Sequence, residues 1–340
     1  MTPEPGPAET GRHRRHGLGP HVVGQRVVVR RLLRDETGPS GGPAMTDVLG
    51  VCERWADGEV LVRREDGTTV LIATRDIVAG KPVPPRPSRF SRLSAETVER
   101  RAAGIFRPLE SERCGNWLFR FSGGDRSRPN SILALGEPGT DLARLLSEAD
   151  RFYAAHGRRP MAQVVLNSSA ERVLLDVGWV DRDPDESDTD VLLAGVAALS
   201  RNLRGCAAPP SFEARRADRI SREWLVGNEH ALANYDTIEA TLALDDATFV
   251  SVEDGDRQVA RGRINLVGDW ALFGDLRVQQ DRQREGLAHL VMAEVSAWAG
   301  ERGASAMLLQ VRADNEPAQR LYASLGFERH HAYRYLVPPT

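Results

Sequence analysis

Six consecutive residues, Gln283-Arg284-Glu285-Gly286-Leu287-Ala288, stand between a stretch that reads as a strand and one that reads as a helix. Gly286 and Ala288 let a ligand approach the backbone without a side-chain clash, and the first amides of a helix have no carbonyl four residues back to bond. Those orphan donors and the positive end of the helix dipole favour an anion such as a pyrophosphate. Arg282 and Arg284 add local positive charge. Taken alone, a Gly and an Ala at a helix start are also what tight packing selects.

The elements that must position this turn follow from spacing. Thr248 to Glu253, Gln258 to Val267 and Trp270 to Val278 read as three strands joined by Asp254-Gly255 and Gly268-Asp269 turns, an antiparallel meander. From Gly286 the apolar residues Leu287, Leu290, Val291, Val295 and Trp298 repeat with helical spacing, and Gly303 ends the helix. Ala306 to Val311 is an apolar strand. Asn315 to Leu325 is a short helix with Pro317 near its start and Gly326 just past its end.

That last helix carries Asn315, Ala318, Leu321, Tyr322, Gly326 and Phe327, about 30 residues after Val278, Gln283, Gly286 and Ala288. In this order the two sets resemble the GNAT superfamily of acetyl-CoA-dependent N-acyltransferases. Its pattern is V-x-P-x-Y-[RQ]-x-x-G-x-[GA] followed by N-x-x-A-x-x-L-Y-x-x-x-G-F. Gln280 stands where the family often has Pro, and Arg282 where it often has an aromatic; neither supplies the backbone amides that matter. The resemblance implies an α+β fold with a mixed central sheet. It implies acetyl-CoA as cosubstrate, with no metal: pyrophosphate on Gln283, Arg284, Glu285, Gly286, Leu287 and Ala288, and pantetheine along the strand near Leu276, Arg277 and Val278. A bulge or splay at that strand's end would aim the Val278 N-H at the thioester carbonyl. Asn315 would touch the pantetheine or adenine side, and Tyr322 would act as general acid toward the thiolate leaving group. The plainer reading of Tyr322 is a half-buried aromatic on the inner face of its helix.

No covalent intermediate is required. Cys52, Cys114 and Cys206 all precede this region, so the implied route is direct attack by an amine in a ternary complex. An ammonium has no lone pair, and a base or water relay must take its proton. Asp275 on the cofactor strand, Glu253 and His289 are candidates between which spacing does not choose.

Residues 91 to 200 read as mixed α/β. Ser94 caps a helix, Asn116 to Phe121, Ser131 to Leu135 and Ala162 to Leu166 are strands, and Asp141 to His156 is an amphipathic helix. Asn130 to Leu135, the Phe152-Tyr153 helix and Leu175 to Trp179 resemble the first half of a tandem GNAT that lacks the Q-x-x-G-x-A turn, a non-catalytic copy. Asp181 to Asp190, with six acids against Arg182, reads as a solvated loop. Upstream, alternation from His21 to Leu33 and the strands Val60 to Arg63 and Thr68 to Ile72 around a Glu65-Asp66-Gly67 turn suggest an SH3-like barrel over 21–88. It follows a disordered leader over 1–20 and ends at the Pro-rich connector Lys81 to Pro87. A Pro-bearing link at Ala207 to Pro210 sets off a catalytic domain over 210–340. Barrel, degenerate copy and active copy together resemble an actinobacterial subfamily described as N-acetylglutamate synthase. That resemblance rests on Thr37 to Asp47 and Gly80 to Pro87, and implies acetylation of the glutamate α-amine at the start of arginine biosynthesis.

Composition bounds the alternatives. The chain has 340 residues, 41% of them hydrophobic, and its net charge of -3 gives no global reason for a polyanion partner. From residue 12 to 34 it carries seven arginines and no acid, most simply a solvated basic arm. No apolar run approaches the roughly 20 residues that span a bilayer, and none precedes residue 20, so a cytoplasmic location is expected. The cysteines show neither disulfide nor zinc spacing. Two rivals stay open: acetylation of protein N-termini or lysines, and an acetyl-CoA-sensing binding module. The barrel lacks aromatics interleaved with basic residues, which disfavours nucleic acid. A homodimer is left open.

Overall fold

The computed structural model describes residues 17–38, 41–64, 67–84, 89–204 and 211–339, in two compact units that divide between residues 87 and 88. Most of the expected leader, Glu65 and Asp66 of the hairpin turn, the end of the Pro-rich connector, Cys206 and the Ala207 to Pro210 link lie outside the described residues.

The first unit holds β1 (Arg26–Thr37), β2 (Pro43–Ala56), β3 (Glu59–Arg63), β4 (Thr69–Ala73) and β5 (Ile77–Pro82). Alternation puts Val27, Val29, Val48, Cys52, Val60, Val62 and Ile72 in one small core. A side chain at Gly50 would lie 2.2 Å from the Arg63 carbonyl, so β2 crosses β3 there only with glycine. The strand order is β4-β3-β2-β1-β5, and no ladder joins β4 to β5 among the described residues. The expected barrel is therefore not closed.

The second unit opens with α1 (Ala95–Ala102), β6 (Glu110–Cys114), β7 (Trp117–Phe121), β8 (Ile132–Ala134), α2 (Leu142–Ala155), β9 (Ala162–Val165), α3 (Ser169–Asp176), β10 (Val180–Asp181), β11 (Thr189–Gly195) and α4 (Val196–Asn202). Its helices start where short polar side chains take an orphan amide: Ser94 accepts from Thr97 N-H at 3.2 Å and Asp141 from Arg144 N-H at 2.9 Å. There follow β12 (Phe212–Ala217), α5 (Glu229–Ala233), α6 (Tyr235–Leu242), β13 (Ala247–Asp254), β14 (Arg257–Val267), β15 (Trp270–Val278), α7 (Leu287–Glu301), β16 (Ala306–Arg312), α8 (Glu316–Ser324) and β17 (Glu328–Val337). No described helix is long and apolar enough to cross a membrane.

One sheet runs through the whole unit in the order β12-β13-β14-β15-β16-β11-β17-β9-β8-β7-β6. The meander β13-β14-β15 is antiparallel, as its short turns require, and β15 to β16 is parallel across the α7 crossover. β11, which sequence attaches to the middle region, sits between β16 and β17, and β17 in turn pairs with β9. Each half thus lends a strand to the other. Leu192, Ala194, Val196, Leu199 and Leu203 join Ala271, Phe273, Val291 and Val295 in the core around α7. The opposite face buries Val191, Leu193, Trp270, Leu272 and Leu308 under α1, α5 and α6.

The acidic run is not wholly a solvated loop. Asp181 pairs in β10, and Asp190 is 7% exposed within β11, where it accepts from Gln319 Nε2 at 3.0 Å and meets Arg329. Its carboxylate is buried because two donors from α8 and β17 reach it.

Candidate active site

The site begins where β15 and β16 stop pairing. They are hydrogen-bonded only over Trp270 to Leu272 and Ala306 to Leu308, while β16 follows β11 along its whole length. From Phe273 on, no described strand pairs with one edge of β15, and the sheet opens as a wedge. On its other edge the register with β14 slips: Arg263 faces Gly274 but Arg261 faces Arg277. The extra residue is a bulge at Asp275-Leu276, with Asp275 held at φ 57. The bulge expected at the end of this strand is present.

Past Val278 the chain makes a short 3-10 turn at Gln280–Arg282 and enters α7 through two left-handed residues, Arg284 at φ 67 and Gly286 at φ 82. Among the described residues, no backbone amide from Gln283 to Ala288 bonds a backbone carbonyl; the first to do so are His289 and Leu290, both to Gly286. The turn is a run of unbonded donors, on residues exposed from Gln283 to Gly286, at the positive end of a helix of 15 residues. Arg282 does not add free charge to it. Its guanidinium meets Asp254 at 2.6 Å and Glu285 at 3.0 Å, and these hydrogen bonds hold it firmly protonated. Arg284 is exposed and has no partner among the described residues.

Tyr322 projects from α8 into the core that also holds Phe273, Leu309 and Val311, against which Leu276 and Val278 pack. The two sequence motifs are thereby brought to the same side of the wedge. Its ring is 6% exposed and edge-on to Phe327 at 5.6 Å, and burial pushes its phenol above the ordinary range. Asn315 is the N-cap of α8: its Oδ1 accepts from Ala318 N-H at 3.2 Å.

On the face away from α7, β14 buries Arg261, Arg263 and Asn265, at 4%, 2% and 1% exposure. Arg263 Nε donates to Asp275 at 2.6 Å and its Nη1 to the Ile105 carbonyl at 2.9 Å. Arg126 reaches Asp275 from the other half at 3.2 Å. Burial alone would raise the Asp275 pKa, but the two guanidiniums outweigh it and hold the carboxyl well below its usual range. A carboxylate so clamped is a weak proton acceptor. Arg261 stacks on Trp224 at 4.8 Å and donates to the Val226 carbonyl at 3.2 Å; burial, with Arg277 nearby, lowers its pKa to about 10. Val226, Gln258, Arg261, Arg277 and Gln279 line a shallow surface depression that encloses no cavity. Of the other candidate bases, Glu253 pairs with Arg215 at 3.3 Å, and His289 sits half-buried in the first turn of α7.

The residues that spacing did not single out are Arg126, Arg128 and Phe106. The guanidiniums of Arg126, Arg128 and Arg263 lie over the Phe106 ring at 5.1, 5.5 and 4.7 Å. Arg126, Arg128 and Phe106 sit more than a hundred residues before the motifs, and only the joined sheet brings them to β15.

Comparisons with known proteins agree with this fold. A family model described as "Probable histone acetyltransferase Rv0428c C-terminal" matches residues 95–336, and one described as "Rv0428c N-terminal Sm-like domain" matches residues 21–81. The first unit is therefore Sm-like, which replaces the SH3-like expectation. The glutamate synthase subfamily and its place in arginine biosynthesis are not what these families are described as. An uncharacterized N-acetyltransferase of Bacillus subtilis strain 168, YobR, is 23% identical over 254 residues, covering 70% of this chain and 96% of its own. A GCN5-related N-acetyltransferase from Kribbella flavida shares the fold with a TM-score of 0.52 at 18% identity, over 75% of this chain and 97% of that one. A functionally unknown conserved protein from Staphylococcus epidermidis ATCC 12228 does so with a TM-score of 0.50 at 10% identity, over 73% and 98%.

Proposed function

Since the chain belongs to the Rv0428c-type acetyltransferase family, a GNAT-fold acyltransferase, we propose that it moves acetyl from acetyl-CoA to a primary amine by direct attack in a ternary complex. The observation that carries this reading is the β15–β16 wedge ending beside a turn of unbonded amides. Acetyl-CoA supplies a thioester already activated toward amines. The amides of Gln283, Arg284, Glu285, Gly286, Leu287 and Ala288 would hold its pyrophosphate, and the open edge of β15 at Leu276, Arg277 and Val278 its pantetheine arm. Asn315 spends its side-chain oxygen on capping α8, so its chief task is to start the helix that carries Tyr322. Tyr322, buried and kept protonated, is suited to donate a proton to the leaving sulfur. To Asp275 we assign the holding of two arginines rather than the taking of a proton.

The acceptor we favour is the α-amine of an amino acid such as glutamate. Arg261, Arg263 and Arg277 stand together on the acceptor side of β14 and β15, where a carboxylate finds partners and a lysine-rich segment meets repulsion. The description of the family favours a protein lysine instead, and one assay separates the two. Free CoA released from acetyl-CoA is measured against free amino acids, polyamines and N-terminal or lysine peptides, with product masses confirmed. Turnover with acidic amino acids supports our reading; turnover with peptides alone moves the function to protein modification. Acetyl-CoA binding without any acceptor would leave a sensor.

A further inference from the structure

Arginines gather on the acceptor side of β14 and β15. Arg261 lies within electrostatic reach of Arg126 and Arg277, and Arg263 of Arg126 and Arg128, while Asp275 touches Arg126 and Arg263. Arg261 Nε and Arg263 Nη2 are buried and make no hydrogen bond to any described residue. Buried donors without acceptors cost free energy unless a ligand supplies one. Arg263 is committed to Asp275 at 2.6 Å with a side chain 3% exposed, whereas Arg126 stands off at 3.2 Å and is 27% exposed.

The segment that carries Arg126 is built to present it. Asn130, 3% exposed, donates to the Gly123 and Arg126 carbonyls at 2.7 and 2.8 Å and accepts from Ser122 N-H at 2.9 Å. Gly123 and Gly124 take φ 66 and 58, and a Cβ on Gly123 would come within 3.3 Å of the Thr237 methyl on α6. Asp125 meets His230 of α5 at 2.9 Å. The loop backbone is thus fixed against the other half, and it presents the partly exposed Arg126 side chain beside Asp275 and the Phe106 ring.

Resting on the acetyltransferase reading above, we propose that the non-catalytic half completes the acceptor pocket. Arg126 is a specificity-determining residue that binds the anionic group of an amine acceptor, beside Arg261 and Arg263. The carboxylate of an amino acid and the phosphate of a phosphoamine share this chemistry, while a polycationic segment is repelled.

The test is calorimetric titration of the full chain, first with CoA and then, at saturating CoA, with L-glutamate, phosphoethanolamine and spermidine. We expect one of the two anionic probes to bind, which names the anion, and spermidine not to. Arg126→Ala should weaken that probe by about tenfold or more while changing CoA affinity less than about twofold, which also shows that the variant is folded. Arg126→Lys should recover part of the loss. Preference for spermidine, failure of both anionic probes, or anionic binding indifferent to Arg126→Ala would overturn the proposal. Failure of CoA itself to bind the unaltered protein would instead remove the reading on which it rests.

Discussion

Arg126 and Asp275 are 149 residues apart in the chain and meet at 3.2 Å across the seam between the two halves. The pair meets at the bulge of β15, on the face of the sheet away from α7. Arg263 shares the same carboxylate at 2.6 Å.

Removing that carboxylate should be costly. Asp275→Asn leaves Arg126 and Arg263 without a counter-charge, and we expect it to destabilise the protein by roughly 1–3 kcal/mol at neutral pH. The Asp275 pKa is depressed by folding, so its contribution is fully present above the unfolded carboxylate value of about 3.9 and is lost as pH falls through the lower folded value. Thermal melts of the two proteins should therefore differ at pH 7 and converge only in stronger acid. A constant gap at all pH values would mean that packing, not charge, is what the substitution removes.

Asn130→Ala tests whether the loop, rather than the arginine alone, sets the acceptor side. It strands the Ser122 amide and frees the carbonyls of Gly123 and Arg126, at a cost of about 1–3 kcal/mol. The acceptor KM should rise while the acetyl-CoA KM holds. Equal changes in both constants would show that the damage spreads to the α7 turn.

Gly286 is strained for any other residue at φ 82, although no heavy atom lies within 4 Å of where its Cβ would sit. Gly286→Glu also places a carboxylate at the anion cradle. We expect the acetyl-CoA KM to rise by about tenfold or more with the fold intact. Normal saturation with acetyl-CoA in this variant would move the cofactor elsewhere.

Tyr322→Phe removes the phenol and keeps the ring against Phe327. Turnover should fall by roughly 10²-fold with acetyl-CoA affinity unchanged. Because burial raises its pKa, Tyr322 stays protonated, and active as an acid, through the ordinary phenol range near pH ~10. The variant should therefore lower the plateau of kcat against pH without moving a limb at neutral pH. Loss of binding with unchanged turnover would end the general-acid role.

Much of the site was legible along the chain because its parts are local. The turn at Gln283 to Ala288 announces itself by a glycine at a strand-to-helix junction, and α8 by Pro317 and Gly326 at its two ends. The apolar periodicity of α7 places Leu287, Val291 and Val295 in the core without any knowledge of their partners. Asp275 stands on β15, but spacing leaves it level with Glu253 and His289 as a base, because a carboxylate's basicity depends on neighbours such as Arg126 and Arg263. The closure expected of the first unit failed for a related reason: whether two edge strands meet depends on the coiling of the whole sheet.

By itself, then, the sequence determined the elements of residues 247–327, the glycine-bearing turn into α7 and the tyrosine that accompanies it, since helix caps, turns and periodicity are set within a few residues. The tertiary structure alone decided that β11 enters between β16 and β17, that β17 crosses to β9, and that Arg126 and Phe106 reach β15. Strand neighbours are chosen by the burial of faces and by backbone groups seeking partners, over separations that no local pattern records.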